Sequence, residues 1–206
     1  MTKVIRQAVI LDHVNLTLES GYIYGLQGPN GSGKTMLLRL LAGLIRPSSG
    51  EVLMDGQVMG KHMDFPTSMG ILIENSAFLP GYTGLQNLEL LASIRKVADK
   101  SQLREAIAQA GLDPDDKRKF RKYSLGMKQR LGIAAAIAEV PDLLLLDEPT
   151  NALDENGVCQ ISNLLQQERE RGALVVVASH DAGFLGDISD KIFSVSEGLV
   201  KERDLR

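Results

Sequence analysis

Gly28-Pro29-Asn30-Gly31-Ser32-Gly33-Lys34-Thr35 is the stretch of this 206-residue chain on which the fold turns. It has the spacing G-x-x-x-x-G-K-[ST]. Glycines at those positions let backbone N–H groups curl around phosphate oxygens that Cβ atoms would obstruct. Tyr22–Gln27 before it, after the punctuating Gly21, is predicted as a strand. Lys34–Leu44 after it is predicted as a helix with an apolar face through Leu37, Leu38, Leu41 and Leu44. A helix that starts there points its partly positive N-terminus at the same anion. In this pattern Lys34 reaches the β- and γ-phosphates and Thr35 gives its hydroxyl to Mg²⁺. A chance match in a chain of this length has odds of about 1 in 100 from average residue frequencies. The strand before it and the helix after it are the context a phosphate loop requires.

Outward from the loop, Val4–Leu11 and Val14–Leu18 are predicted as strands, the second because Val14, Leu16 and Leu18 alternate with polar residues. Pro47-Ser48-Ser49-Gly50 ends the first helical stretch, and Glu51–Met54 and Met69–Glu74 are predicted as strands. From Gly84 the texture turns helical: Leu85, Leu88, Leu91 and Ile94 recur in three-residue steps. A second amphipathic piece covers Leu103–Ala110, Asp113–Lys122 is a charged loop, and Leu125–Val140 is a further helix. The continuous apolar run Leu143–Leu146 predicts a buried strand. Val158–Arg171 (helix), Ala173–Ala178 (buried strand), Ala182–Ile188 (short helix), and Ile192–Val195 and Leu199–Lys201 (closing strands) follow. Strands alternating with helices predict a largely parallel α/β sheet. On this reading residues 1–74 and 141–206 form the core, and 75–140 is a helical insert.

Ligands of a parallel sheet sit beyond the carboxyl ends of its strands. Leu143–Leu146 runs straight into Asp147-Glu148. At such an end Asp147 is expected to hold Mg²⁺ through a water, and Glu148 to polarise an attacking water as general base.

Composition narrows the class. The chain is 44% hydrophobic and 24% charged, which excludes a disordered or collagen-like protein. No apolar run exceeds six residues, whereas a spanning helix needs about 20. The start has no signal-peptide core of useful length. The single cysteine, Cys159, forms no internal disulfide and fits a reducing cytosol. The net charge of −3 gives no global attraction to nucleic acid. The length leaves little room for a regulatory domain after Val200.

These elements, in this order, resemble the nucleotide-binding subunit of ABC transporters over essentially the whole chain. Tyr123-Ser124-Leu125-Gly126-Met127-Lys128-Gln129-Arg130 looks like the family signature at the start of a helix. Pro149-Thr150-Asn151-Ala152-Leu153-Asp154 looks like its D-loop, and His180, at a strand end and followed by Asp181, like its switch histidine. The resemblance implies a P-loop NTPase of ABC type: a mostly parallel sheet core, an antiparallel β layer from the N-terminal third, and a helical signature subdomain. It implies ATP hydrolysis with Mg²⁺ in a head-to-tail dimer, of two copies or with a related ATPase, docked on transmembrane permease subunits at the cytoplasmic face of the cell membrane. Gly28, Asn30, Gly31, Ser32, Gly33, Lys34 and Thr35 then bind ATP. Ser124, Gly126 and Asp154 complete the pocket of the opposite subunit, and His180 contacts the γ-phosphate. No nucleic-acid partner is implied, although a soluble ABC ATPase that remodels ribosomes or DNA, and a catalytically silent regulatory module, are the rival readings.

The chain departs from the family pattern at three places. Leu125 and Met127 stand where glycine and glutamine are usual, a variant that resembles exporters of drugs, antibiotics and peptides. Glu74 stands where a glutamine is usual; Glu74-Asn75 is read as its equivalent, a Mg²⁺ or water contact that senses the membrane partner. No aromatic occurs before Tyr22, so the position of the usual adenine-stacking ring falls near Ile5. Phe78, Leu79, Pro80, Tyr82 and Leu85 fit a groove for a helix of the membrane subunit, or else the core of the helical insert. Lys117–Lys122, with five basic residues in six, reads as a solvated loop balanced by Asp113, Asp115 and Asp116.

Overall fold

In the computed structural model, which describes residues 1–74 and 77–203, the two longest apolar strand runs form the centre of a sheet. Leu143 to Leu146 and Val175 to Ala178 are buried at every position. A parallel strand covered by helices on both faces has no solvent side to alternate with. These runs lie in β7 (Leu143–Asp147) and β8 (Leu174–Ser179). Among the described residues the sheet has the order β10-β9-β3-β8-β7-β6. Its remaining strands are β3 (Ile23–Gln27), β6 (Met69–Leu72), β9 (Lys191–Ser196) and β10 (Leu199–Arg203). Neighbours are parallel except β9 and β10. The register sets Gln27 opposite Ser179 and Asp147 opposite Ala178. The residues that follow these strand ends are therefore brought to one edge.

Alternate residues of β7 feed two cores. Leu143 and Leu145 pack with Leu37 and Leu38 of α1 (Lys34–Leu41). Leu144 and Leu146 share a cluster with Leu88, Leu103, Ile107 and Leu131. Those four come from α2 (Gly84–Arg95), α3 (Lys100–Gln109) and α4 (Leu125–Ile137). Capping boxes at Thr83/Gln86 and Asp99/Gln102 fix the starts of α2 and α3. The remaining helices are α5 (Glu155–Glu170), begun earlier than expected because Asp154 caps it, and α6 (Ala182–Ile188). The charged segment before α4 is a loop, as expected, with one 3₁₀ turn at Phe120–Lys122.

Several boundaries differ from the sequence reading. Val4–Leu11 is a hairpin of β1 (Lys3–Ile5) and β2 (Ala8–Leu11), turned by Arg6 and Gln7 at φ 46° and 70°. Two successive positive-φ residues make the tight turn whose twist matches a hairpin. Met69–Glu74 shortens to β6. Glu51–Met54 shortens to β4 (Leu53–Met54), which pairs with β5 (Gln57–Val58). α1 stops at Leu41 because Gly43 takes φ 74°, where a Cβ would lie 2.5 Å from the Asp64 carbonyl oxygen, and Leu44 falls outside the helix. α4 ends at Ile137, and Val140 beyond it has φ 51°. Val14–Leu18 keeps its alternation, with Val14 buried, Leu16 and Leu18 half-buried, and Asn15 and Thr17 exposed. It forms no strand, because only Val14 pairs, exchanging two backbone hydrogen bonds with Met1, and residues 15–18 have no backbone partner among the described residues.

Candidate active site

The phosphate loop joins β3 to α1 as the pattern required. Gly33, at φ 111°, is the residue before α1, and Gly31 has φ 80° with open space where a Cβ would stand. A Cβ on Gly28 would lie 2.1 Å from the Val195 carbonyl oxygen, so only glycine fits. The loop curls around the Lys34 ammonium, which is 5% exposed and donates to the carbonyls of Gly28 (2.6 Å) and Pro29 (3.2 Å). Ser32 Oγ is buried in the loop without a hydrogen-bond partner. A cradle with a buried cation and an orphaned hydroxyl fits an anionic ligand.

Across the loop, Thr35 Oγ1 donates to Asp147 Oδ2 at 2.6 Å. Burial pushes the Asp147 carboxyl above its ordinary range, and the Glu148 and Glu74 charges add to the rise against the opposing Thr35 bond and Lys34. The upward direction means that ionised Asp147 costs the nucleotide-free fold stability at neutral pH, and that the cost vanishes below the carboxyl's unfolded pKa. Asp147→Asn is therefore expected to raise Tm at pH 7. The gap to wild type should close as pH falls through 3.8, checked by thermal unfolding across pH. A hydroxyl and a desolvated carboxylate at this separation are also the hard-oxygen pair that suits Mg²⁺.

Glu148 sits at φ 48°, in the left-handed region that a non-glycine residue adopts under constraint. Both of its backbone groups are held. Its N–H donates to the Ala178 carbonyl at 2.8 Å, and its carbonyl accepts from Gln129 Nε2 at 2.9 Å. The carboxylate is thereby aimed at the neighbouring strand end. It accepts from Ser179 Oγ (3.1 Å) and the His180 N–H (3.1 Å), lies 2.9 Å from His180 Nδ1, and is 3.7 Å from the Lys34 ammonium. Lys34, Thr35, Asp147, Glu148 and His180, from three separate stretches, form one constellation. Ser179 and Gln129 belong to it and were not singled out from sequence. Ser179 precedes His180 directly, and Gln129 lies inside the signature stretch 123–130, where no role was assigned to it.

The other expected residues lie apart. Ser124 caps α4, its hydroxyl accepting from the Met127 N–H at 3.2 Å, and Leu125 next to it is 66% exposed. Gly126 backs onto the Ala152 carbonyl, 2.7 Å from where a Cβ would stand. Asp154 caps α5 through the Gly157 N–H (3.0 Å) and lies 3.8 Å from Arg130. Glu74, at φ 60°, accepts from Arg39 Nη2 of α1 at 2.7 Å, a partner the sequence did not suggest. Asn75 lies outside the described residues. Asn30 is exposed on the loop and Ile5 is 37% exposed on β1. The expected groove residues divide: Phe78 stacks edge-on to Phe120 at 5.2 Å and Leu85 packs on the core, whereas Leu79, Pro80 and Tyr82 are exposed. In the basic loop Arg118 pairs with Asp116, while Asp115 pairs with Arg104 of α3.

A phosphate loop facing a strand-end carboxylate pair defines a P-loop ATPase. More particularly, the chain belongs to the ABC transporter family, whose sequence profile matches residues 11–151. It is 46% identical over 201 residues to the uncharacterized ABC transporter ATP-binding protein YybJ of Bacillus subtilis (strain 168), covering 98% of this chain and 92% of that one. It is 38% identical over 205 residues to the bacitracin transport ATP-binding protein BcrA of Enterococcus faecalis, covering 98% and 67%. The fold matches the dimeric post-hydrolysis state of the ATP-binding cassette MJ0796 bound to ADP and Pi. The TM-score is 0.88 at 28% identity, over 100% of this chain and 96% of that one. The chain is thus an ATPase, the ATP-binding subunit of an ABC transporter. No helix among the described residues is long and apolar enough to cross a membrane.

Proposed function

We propose that this subunit drives an exporter of an antibiotic, peptide or drug by hydrolysing Mg·ATP in a head-to-tail dimer, docked on separate permease subunits at the cytoplasmic face of the cell membrane. The observation that carries the hydrolytic part is the contact of Glu148 with Lys34, Ser179 and His180 at one strand edge. Export is supported by the likeness to a bacitracin transport subunit and by the Ser-Leu-Gly-Met signature. The dimer is supported by the dimeric neighbour and by the start of α4, where Ser124 and Leu125 are exposed.

In this mechanism the loop N–H groups and Lys34 bind the phosphates. Thr35 and Asp147 hold Mg²⁺, which when bound neutralises charge on the transferring phosphoryl group. Glu148 accepts a hydrogen bond from the attacking water, oriented by Ser179 and by His180, which also reaches the γ-phosphate. Gln129 ties the signature helix to the Glu148 backbone, so movement of 75–140 as a unit reaches the base directly. Ile5 in place of a ring gives the base a flat aliphatic contact without π-stacking. Equilibrium binding is expected to show less than a tenfold preference for ATP over GTP.

Permease docking is supported by the exposed apolar residues Leu79 and Tyr82, and by Leu90, Leu91 and Ile94 at helical spacing on α2. Tyr82→Ala combined with Leu91→Ala is expected to abolish most drug resistance or transport in cells and leave basal ATPase within twofold. Equal loss of both activities would count against a docking role. Phe78 is not used in this test because its ring packs on Phe120.

A further inference from the structure

The charged segment 113–122, balanced on paper, carries an uncompensated positive charge in the fold. Asp116 is taken by Arg118, and Asp115 by Arg104 of α3. The Asp113 carboxylate accepts from the Asp115 N–H at 2.8 Å. Lys117, Lys119, Arg121 and Lys122 pair with no carboxylate among the described residues. Lys119 reaches Gln86 Oε1 at 3.3 Å, a neutral partner. Lys128, in the first turns of α4, stands 5.5 Å from the centre of the Phe120 ring and adds a fifth cation. Lys117, Arg121 and Lys122 are exposed, and their side chains make no hydrogen bond among the described residues. The backbone beneath them is nevertheless fixed. Phe120 is buried, its N–H donates to the Tyr82 carbonyl at 2.8 Å, and the Arg121 N–H donates to the Pro80 carbonyl at 3.1 Å. The free cations are thereby held beside the exposed Leu79 and Tyr82.

We propose that Lys117, Lys119, Arg121, Lys122 and Lys128 form a contact for anionic phospholipid headgroups beside the permease-docking residues. The proposal rests on the docking reading for its place at a membrane, whereas the binding itself needs no permease. Headgroups present a diffuse negative field, which suits flexible cations that no partner holds in place. An acidic protein segment is better matched by guanidinium forks fixed for bidentate contact, and Arg121 has no such support. Tyr82 and Leu79 add an aromatic and aliphatic edge of the kind that settles at headgroup level. The alkyl stems of the lysines can lie along that edge while their ammonium groups stay at the phosphates. The attraction acts within about 10 Å of the surface, the screening distance at ordinary ionic strength. It would turn the docking surface toward the bilayer before a permease is engaged.

Co-sedimentation of the purified full chain with vesicles tests this without a permease. Vesicles of phosphatidylglycerol and phosphatidylcholine in equal parts are expected to bind the chain, and vesicles of phosphatidylcholine alone are not. Lys117→Gln, Arg121→Gln and Lys122→Gln together should weaken binding about 100-fold, from the usual contribution of each cation at an anionic surface. Lys61→Gln, Lys191→Gln and Lys201→Gln, also exposed, change the net charge equally and should leave binding near wild type. Binding of the unmodified chain should also vanish between about 0.05 M and about 0.5 M NaCl. This salt series decides by itself if the patch variant does not fold. Equal binding to both vesicle types, equal loss in both triple variants, or binding that survives salt would overturn the proposal. So would a chain that ignores vesicles but loses its membrane partner when the patch is neutralised, a result that would assign the patch to an acidic protein segment. Absence of a permease on purification from membranes would count against the docking reading and leave the vesicle result unaffected.

Discussion

Glu148→Gln is expected to lower ATP turnover by a factor of about 10²–10⁴, the range that a positioned general base supplies. Binding should survive, because the substitution keeps the shape of the side chain and its capacity to accept from Ser179 and the His180 N–H. What is lost is the negative charge that polarises water. The positive-φ backbone should not relax, because the Ala178 carbonyl and Gln129 hold it independently of the side chain. The variant should therefore accumulate as an ATP-bound dimer, visible by size-exclusion chromatography with ATP and Mg²⁺. Turnover at the wild-type rate would remove Glu148 from the base role.

Lys34→Ala should act one step earlier. The ammonium is buried and satisfied by loop carbonyls, with Glu148 at 3.7 Å, so its removal empties the centre of the cradle and deprives a carboxylate of its cation. Charge-assisted hydrogen bonds are worth about 1.5–3 kcal/mol each, which predicts about a 10–150-fold loss of ATP affinity. Isothermal titration measures it, and unchanged affinity would contradict the phosphate-binding role. The two variants should differ in kind: Lys34→Ala forms no ATP dimer, whereas Glu148→Gln forms a persistent one.

The phosphate loop and the Asp147-Glu148 strand end were legible because each is a local pattern with one physical use. A glycine-rich turn between strand and helix, and an apolar run ending in acids, carry their chemistry within eight residues. Elements whose identity depends on a distant partner were not. The alternation of Val14–Leu18 correctly reports which side chains face inward, but a strand also needs a ladder, and no period-2 pattern says whether a neighbour exists. The hairpin at Arg6-Gln7 was missed because neither residue type is the usual choice for positive φ. The contacts of Gln129 and Arg39 were not foreseen for a related reason. Their partners, Glu148 and Glu74, lie 19 and 35 residues away, joined only when α4 and α1 pack on the sheet. Leu90, Leu91 and Ile94 on α2 are exposed. The three-residue steps of Leu85, Leu88, Leu91 and Ile94 marked a helix without saying which face is buried, and that face runs through Leu88 and Ala92.

The most direct test of the account is to purify the tagged full chain from detergent-solubilised membranes and identify what accompanies it by mass spectrometry. The account predicts a multi-span membrane protein in stoichiometric amount, with ATPase activity that Glu148→Gln abolishes. Recovery of the chain only in the soluble fraction, with ribosomes, nucleic acid or no partner, would contradict it.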